Sequence, residues 1–193
     1  MKLYEKIPDS VTVNGRKVKV NLEYRNVLRM IDILKEDDLL PDARDWLAMK
    51  CICRRPRKGM KAEVMKLLFD DPKKNAERER ITDLGQDADL IRAAFMQEYG
   101  INLFREKLNW FEFSCLLAGL PEGSKYTEIL GIRARPMPDA TQYNAKEREW
   151  LARAKTEYAL ELTEEEQQRK YRKDVEKLGA FLIALAGEDE KHG

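Results

Sequence analysis

The sequence predicts a mainly α fold: a compact multi-helix domain with an N-terminal β-hairpin and a long C-terminal helix. Three observations lead to it. Apolar residues recur at intervals of three and four through most of the chain, as they do on one face of a helix. Glycines and prolines cut these stretches into separate helices. Strict alternation of apolar and polar residues stands out on either side of Asn14-Gly15. The chain has 193 residues, 43% hydrophobic and 37% charged, so it can bury a core and is too charged to sit inside a membrane. Residues 1–138 are expected to form a helical core domain that includes the hairpin. Residues 139–193 should be a helical extension packed on it or projecting from it, the whole being one domain.

Ser10 to Val20 alternates around Asn14-Gly15, a pair that accepts the positive φ angles of a type I′ turn. A hairpin alone is marginal in water, so this one must lie on helices. Tyr24, Val27, Leu28, Ile31 and Leu34 then make one helical stripe. Leu39 to Cys53 forms a second helix with Pro41 in its first turn and Ala43, Trp46, Leu47 and Cys51 on its inner side. Met60 to Phe69 forms a third through Val64, Leu67 and Leu68. Asp70, Asp71 and Pro72 stop that helix, and Lys73 to Arg80 is a polar loop.

Leu84 to Arg135 is the most locally determined part. Asp87 can cap a helix carrying Ile91, Ala94, Phe95 and Tyr99, which Gly100 closes with Ile101 folding back. Asn109 can cap a second helix whose inner side carries Trp110, Phe113 and Leu117 and which ends at Gly119 and Pro121. Ser124 starts a third, through Ile129 to Gly131. Beyond Pro136 and Pro138, Trp150, Leu151, Ala154 and Tyr158 form a further stripe. Thr163 and Glu166 have the spacing of a capping box, opening a helix with Tyr171, Val175, Leu178, Leu182 and Leu185 at alternating steps of four and three, a stripe suited to self-association in a homo-oligomer. Gly187 ends it.

Little in the chain points to catalysis. The single histidine, His192, lies next to the C-terminus, so Ser-His and Cys-His mechanisms have no base inside the fold. The expectation is a protein that is not an enzyme and takes no cofactor or metal. Cys51 and Cys53 lack the further ligands of a zinc site, and with Cys115 they read as reduced core residues. Asp37-Asp38 and Asp70-Asp71 read as solvated caps and turns. No glycine pattern matches a phosphate-binding loop.

Two candidate surfaces remain. Trp110, Phe111, Phe113 and Leu116 are a candidate partner-binding set; Trp110 and Phe113 share a side and suit the core, whereas Phe111 points about 100° away from Trp110. Arg54, Arg55, Arg57, Lys58 and Lys61 are a candidate nucleic-acid site, the alternative reading being a small nucleic-acid-binding regulatory protein. The lack of an aromatic in this run and the net charge of +1, from 36 basic and 35 acidic residues, argue against nucleic acid. No apolar run is long enough to span a membrane. The acid and proline of the first ten residues do not suit a signal peptide, so the expected location is the cytoplasm.

Gln86-Asp87, Ala94-Phe95, Tyr99 to Leu103, Leu108 to Phe113, Leu116 to Leu120 and Ile132-Arg133 together resemble the "gene product fifteen" family of bacteriophages, from siphophage tail regions. Tyr24 to Leu28 after the hairpin and Lys155 to Leu160 are similar to that family's start and end, so the resemblance covers most of Met1 to Leu160. Asn102 stands where the family usually has an acid, and Phe111 where a second aromatic, often Trp, is usual. The resemblance implies a tail assembly chaperone whose partners are the tape-measure protein and the tail tube protein. It further implies residence in the bacterial host cytoplasm and absence from the mature virion. Thr163 to Ala186 has no counterpart in it.

Overall fold

The computed structural model describes residues 4–69, 80–164, 166–169, 171–172 and 175–176. Strands β1 (Ser10–Val13) and β2 (Arg16–Lys19) pair antiparallel with Val11 opposite Val18 and Val13 opposite Arg16. Asn14 and Gly15 take φ of 50° and 74°, the left-handed pair that the tight turn demands. Val11, Val13, Val18 and Val20 all point inward. The hairpin rests on α3 (Met60–Leu68), whose Met60, Val64 and Leu68 are buried beneath it.

Helices α1 (Tyr24–Leu34) and α2 (Pro41–Ile52) pack along one another. On α1 the most deeply buried residues are Tyr24, Val27 and Met30, with Leu28, Ile31 and Leu34 flanking them. On α2 most of the expected inner face is the outer one, and of that set Cys51 alone packs partly against the core. Ala48, Met49 and Ile52 are buried, whereas Trp46 and Leu47 are 51% and 39% exposed and Ala43 also faces solvent. The helix is apolar on both sides, so periodicity could not choose between them. The small Ala48, fully buried, permits a close helix approach that an indole at the same contact would prevent.

Three short helices follow: α4 (Ala88–Tyr99), α5 (Trp110–Ala118) and α6 (Lys125–Ala134). Their ends are as local chemistry dictates. Gly100, at φ 66°, closes α4 as its amide and that of Ile101 donate to the Met96 and Phe95 carbonyls. Asn109 accepts from the Phe111 amide while Glu112 accepts from the Asn109 amide, a complete capping box. Ser124 caps α6, which runs to Ala134 rather than stopping at Gly131 and so places Arg133 on a helix. After the Pro136 and Pro138 break comes α7 (Ala145–Glu157), with Leu151 and Ala154 buried but Trp150 more than half exposed. The Thr163-Glu166 capping box forms as expected. Helical residues follow it, and Leu178, Leu182 and Leu185 lie outside the described residues, as does the 70–79 stretch read as a helix stop and loop.

Phe113 centres the core, stacked on Tyr24 at 4.8 Å and Phe95 at 5.4 Å with Trp110 at 5.9 Å. The two halves of the chain are joined there by backbone bonds: the Trp110 amide donates to the Leu22 carbonyl and the Tyr24 amide to that of Leu108. The Tyr24 hydroxyl and the Arg25 guanidinium both donate to the Leu103 carbonyl, pinning the loop between α4 and α5.

A second joint is ionic. Asp87 occupies the position before α4 yet makes no side-chain cap. Its carboxylate, 1% exposed, instead accepts from both terminal nitrogens of Arg133 at 2.8 and 2.9 Å and from the Asp83 amide at 2.9 Å. Satisfying a buried carboxylate with a guanidinium outweighs what a helix cap would gain. Arg133 also donates to the Ile81 and Tyr158 carbonyls, so one side chain ties together the segment before α4, α6 and the end of α7. Beside it, Gln86 makes two hydrogen bonds to the Glu161 backbone, and Arg80 joins Asp83, the Glu161 carbonyl and Glu166.

Removing one partner of a buried pair leaves the other charge unpaired. Arg133→Met and Asp87→Asn should each lower the unfolding free energy by about 3–5 kcal/mol in urea denaturation. Arg153→Met, which breaks the exposed pair with Glu149, should cost at most about 1 kcal/mol.

The Arg80 hydrogen bond holds the Glu166 carboxyl at about 2, down from an ordinary 4.5. Burial pushes Asp83 upward, but amide hydrogen bonds from Gln86 and Gly85 and the charges of Lys35 and Arg80 leave it below its ordinary value. Both are depressed carboxylates, whose stabilisation is complete above their unfolded values and is lost as pH falls through the folded ones. Stability should therefore decline between pH 4.5 and about 2, and Glu166→Gln should flatten that acid limb in thermal melts taken against pH.

Candidate functional site

The aromatic set proposed as a docking site is divided by the fold. Trp110 and Phe113 are core residues, enclosed by Tyr24, Phe69 and Phe95, and cannot reach a partner. Phe111 and Leu116 are half-buried against the same core. The short α5, capped at both ends, turns its aromatic side into the molecule because Asn109 fixes its start and Gly119 its finish.

The surface carries its apolar groups elsewhere. Leu40, Ala43, Trp46 and Leu47 form an outward stripe along α2, with Leu40 77% exposed and the Lys50 ammonium over the Trp46 ring at 5.0 Å. A helix apolar on its buried and its solvent side has one more apolar face than its own fold uses. Between α6 and α7, Ile132, Trp150, Ala154 and Tyr158 line an open groove rimmed by Lys125, Glu128, Arg135 and Glu157. Neither surface was assigned from sequence. The signal for the first was present in α2, where a second set of apolar residues competed with the stripe expected to face inward.

Of the basic run, Arg54, Arg55, Arg57 and Lys58 are exposed in the turn between α2 and α3. Lys61 lies on α3 and pairs with Asp45 of α2 at 2.7 Å, so it serves the packing of those helices. Lys50 donates to the Arg54 carbonyl, closing α2 just before the run. Of the self-association stripe, Tyr171 and Val175 are exposed.

Cys51 is half-buried and Cys53 buried, as expected, but Cys115 is exposed on the outer side of α5. All three are free thiols. Among the described residues no group of three or more His, Cys, Asp or Glu side chains is placed to hold a metal ion. Burial raises the Tyr24 and Tyr126 hydroxyls above their ordinary value, and both act as hydrogen-bonding struts, Tyr24 to Leu103 and Tyr126 to Thr82. No described helix is long and apolar enough to cross a membrane.

The residues that carried the family resemblance meet at joints of the fold. Tyr24 and Arg25 hold the loop containing Asn102 and Leu103, Gln86 holds the backbone after α7, and Asp87 holds Arg133. These contacts define a shape, and the match to known proteins follows it. No curated protein and no solved structure matches the chain. A family model described as "Bacteriophage Gp15 protein" matches residues 3–160, from before the hairpin to just beyond α7. On that span, most of its length, the chain belongs to the bacteriophage Gp15 family.

Proposed function

We propose that this phage protein is a non-enzymatic tail assembly chaperone that binds the tape-measure protein, the tail tube subunits or both during tail morphogenesis in the host cytoplasm, and leaves before the virion matures. Membership of the bacteriophage Gp15 family over residues 3–160 carries this reading. The absence of any histidine before residue 192 supports a role without histidine-based acid–base chemistry.

A chaperone for a long helical client needs an apolar surface that accepts an amphipathic helix and is otherwise tolerated in water. The α2 stripe has that character: Leu40, Ala43, Trp46 and Leu47 follow one side of a helix already anchored by Ala48, Met49 and Ile52. A client helix laid along it would cover the indole, the type of anchor that dominates binding energy. The acidic Asp42 and the basic Lys50 at opposite ends give such a helix a preferred direction.

The test is co-expression with the tape-measure protein encoded in the same phage genome. Increased solubility of that protein and its co-purification with this chain are expected. Trp46→Glu combined with Leu47→Glu should abolish co-purification while leaving the melting temperature within a few degrees, since both side chains face solvent. Absence of any effect on the tape-measure and tube proteins would sink the chaperone reading.

A further inference from the structure

The basic run gains a member that its sequence does not contain. Arg16, in the first position of β2, lines one open depression with Arg57 and Lys58 of the α2–α3 turn, together with Val13 and Asn14. The fold brings them together because the hairpin sits on α3, and the turn leads directly into Met60 beneath it through Gly59 at φ 82°. Arg54 and Arg55 are exposed on the same turn.

These cations are unspent. Among the described residues none of Arg16, Arg54, Arg55, Arg57 and Lys58 forms a salt bridge, although basic residues elsewhere are paired. Among the described residues no carboxylate lines the depression. Like charges gathered without counter-charges repel, and a polyanion relieves the repulsion while releasing its own counterions.

The surroundings select the polyanion. Val13 is buried, so the depression offers no exposed apolar anchor of the kind a protein partner needs at the centre of an interface. Among the described residues no aromatic side chain lines it, so the bases of a single strand would find nothing there to stack on. A duplex backbone asks for neither. Its phosphates are held by cations, and the planar fork of arginine suits them.

We propose that Arg16, Arg57 and Lys58, with Arg54 and Arg55 beside them, form a sequence-independent site for the phosphate backbone of double-stranded nucleic acid. Lys61 does not belong to it, because Asp45 already neutralises that charge. The site lies apart from the α2 stripe in the residues it uses, so it stands or falls independently of the chaperone reading.

Fluorescence anisotropy of a short labelled DNA duplex, titrated with the full chain at several salt concentrations, tests it. Binding at low salt is expected, weakening with a slope of about −3 to −4 in log affinity against log salt, as for roughly four phosphate contacts. Arg16→Glu and Arg57→Glu should each weaken binding by roughly tenfold, while Lys61→Gln should change it by less than about twofold. Thermal melts establish that each variant is folded, and the milder Arg16→Gln should weaken binding in the same direction. The proposal is overturned if the duplex does not bind at low salt or if Arg16→Glu binds like the parent. Equal or tighter binding of the matching single strand, or of polyglutamate, would overturn it as well.

Discussion

The ion pair between Asp87 and Arg133 is the constraint on which the C-terminal half of the fold depends. Its carboxylate is 1% exposed and its guanidinium side chain 11%, so neither charge has water to fall back on and each must find its partners inside the protein. Arg133 meets that demand with four hydrogen bonds, two to Asp87 and one each to the Ile81 and Tyr158 carbonyls. A guanidinium has a fixed fork of donors, so those acceptors are held at set angles as well as set distances. The segment before α4, α6 and the end of α7 thus have one mutual arrangement. A buried pair of this kind is a poor source of net stability but a strong source of uniqueness, since a misplaced segment would strand a charge. The N-terminal half has a different fastening. There the aromatic cluster around Phe113 and the backbone bonds to Leu22 and Leu108 do the joining.

This division explains why the family's sequence pattern says much about shape and little about action. Its polar members, Arg25, Gln86, Asp87 and Arg133, spend most of their hydrogen bonds on the chain's own backbone or on each other. Its aromatic members Tyr24, Phe95, Trp110 and Phe113 are core. What the pattern leaves outside is the apolar outer side of α2, the groove between α6 and α7, and the cations where the hairpin meets the α2–α3 turn. The proposed chaperone role would call for such surfaces more than for a cleft, since a long helical client would be bound along its length.

What could be seen in the sequence was what neighbouring residues decide. The Asn14-Gly15 turn, the Gly100 stop, the Asn109 and Ser124 caps and the Thr163-Glu166 box are settled within a few residues, and each formed where it was expected. Distance defeated the rest. Asp87 has the position of a cap, but its partner is 46 residues away, and only the folded chain brings Arg133 within reach. Helical spacing groups Trp46 with Ala43, Leu47 and Cys51, whereas the helix pair needed a small residue at the contact, and Ala48 supplied it. Likewise Arg16 joins the basic turn only because β1 and β2 lie on α3, a packing that no local pattern specifies. Of the candidate docking set, Trp110 and Phe113 lie in the core, as their shared side suggests, and Phe111 and Leu116 are half-buried against it.

Arg133 fastens one half of the molecule and leaves the other to its aromatic core. Native-state hydrogen exchange on Arg133→Met measures this most directly. The Asp83 amide, which donates to Asp87, and the Glu161 amide, which donates to Gln86, should lose far more protection than the Val20 and Trp110 amides, which bond to Asp9 and Leu22. Equal loss at all four amides, or none at Asp83 and Glu161, would contradict the account.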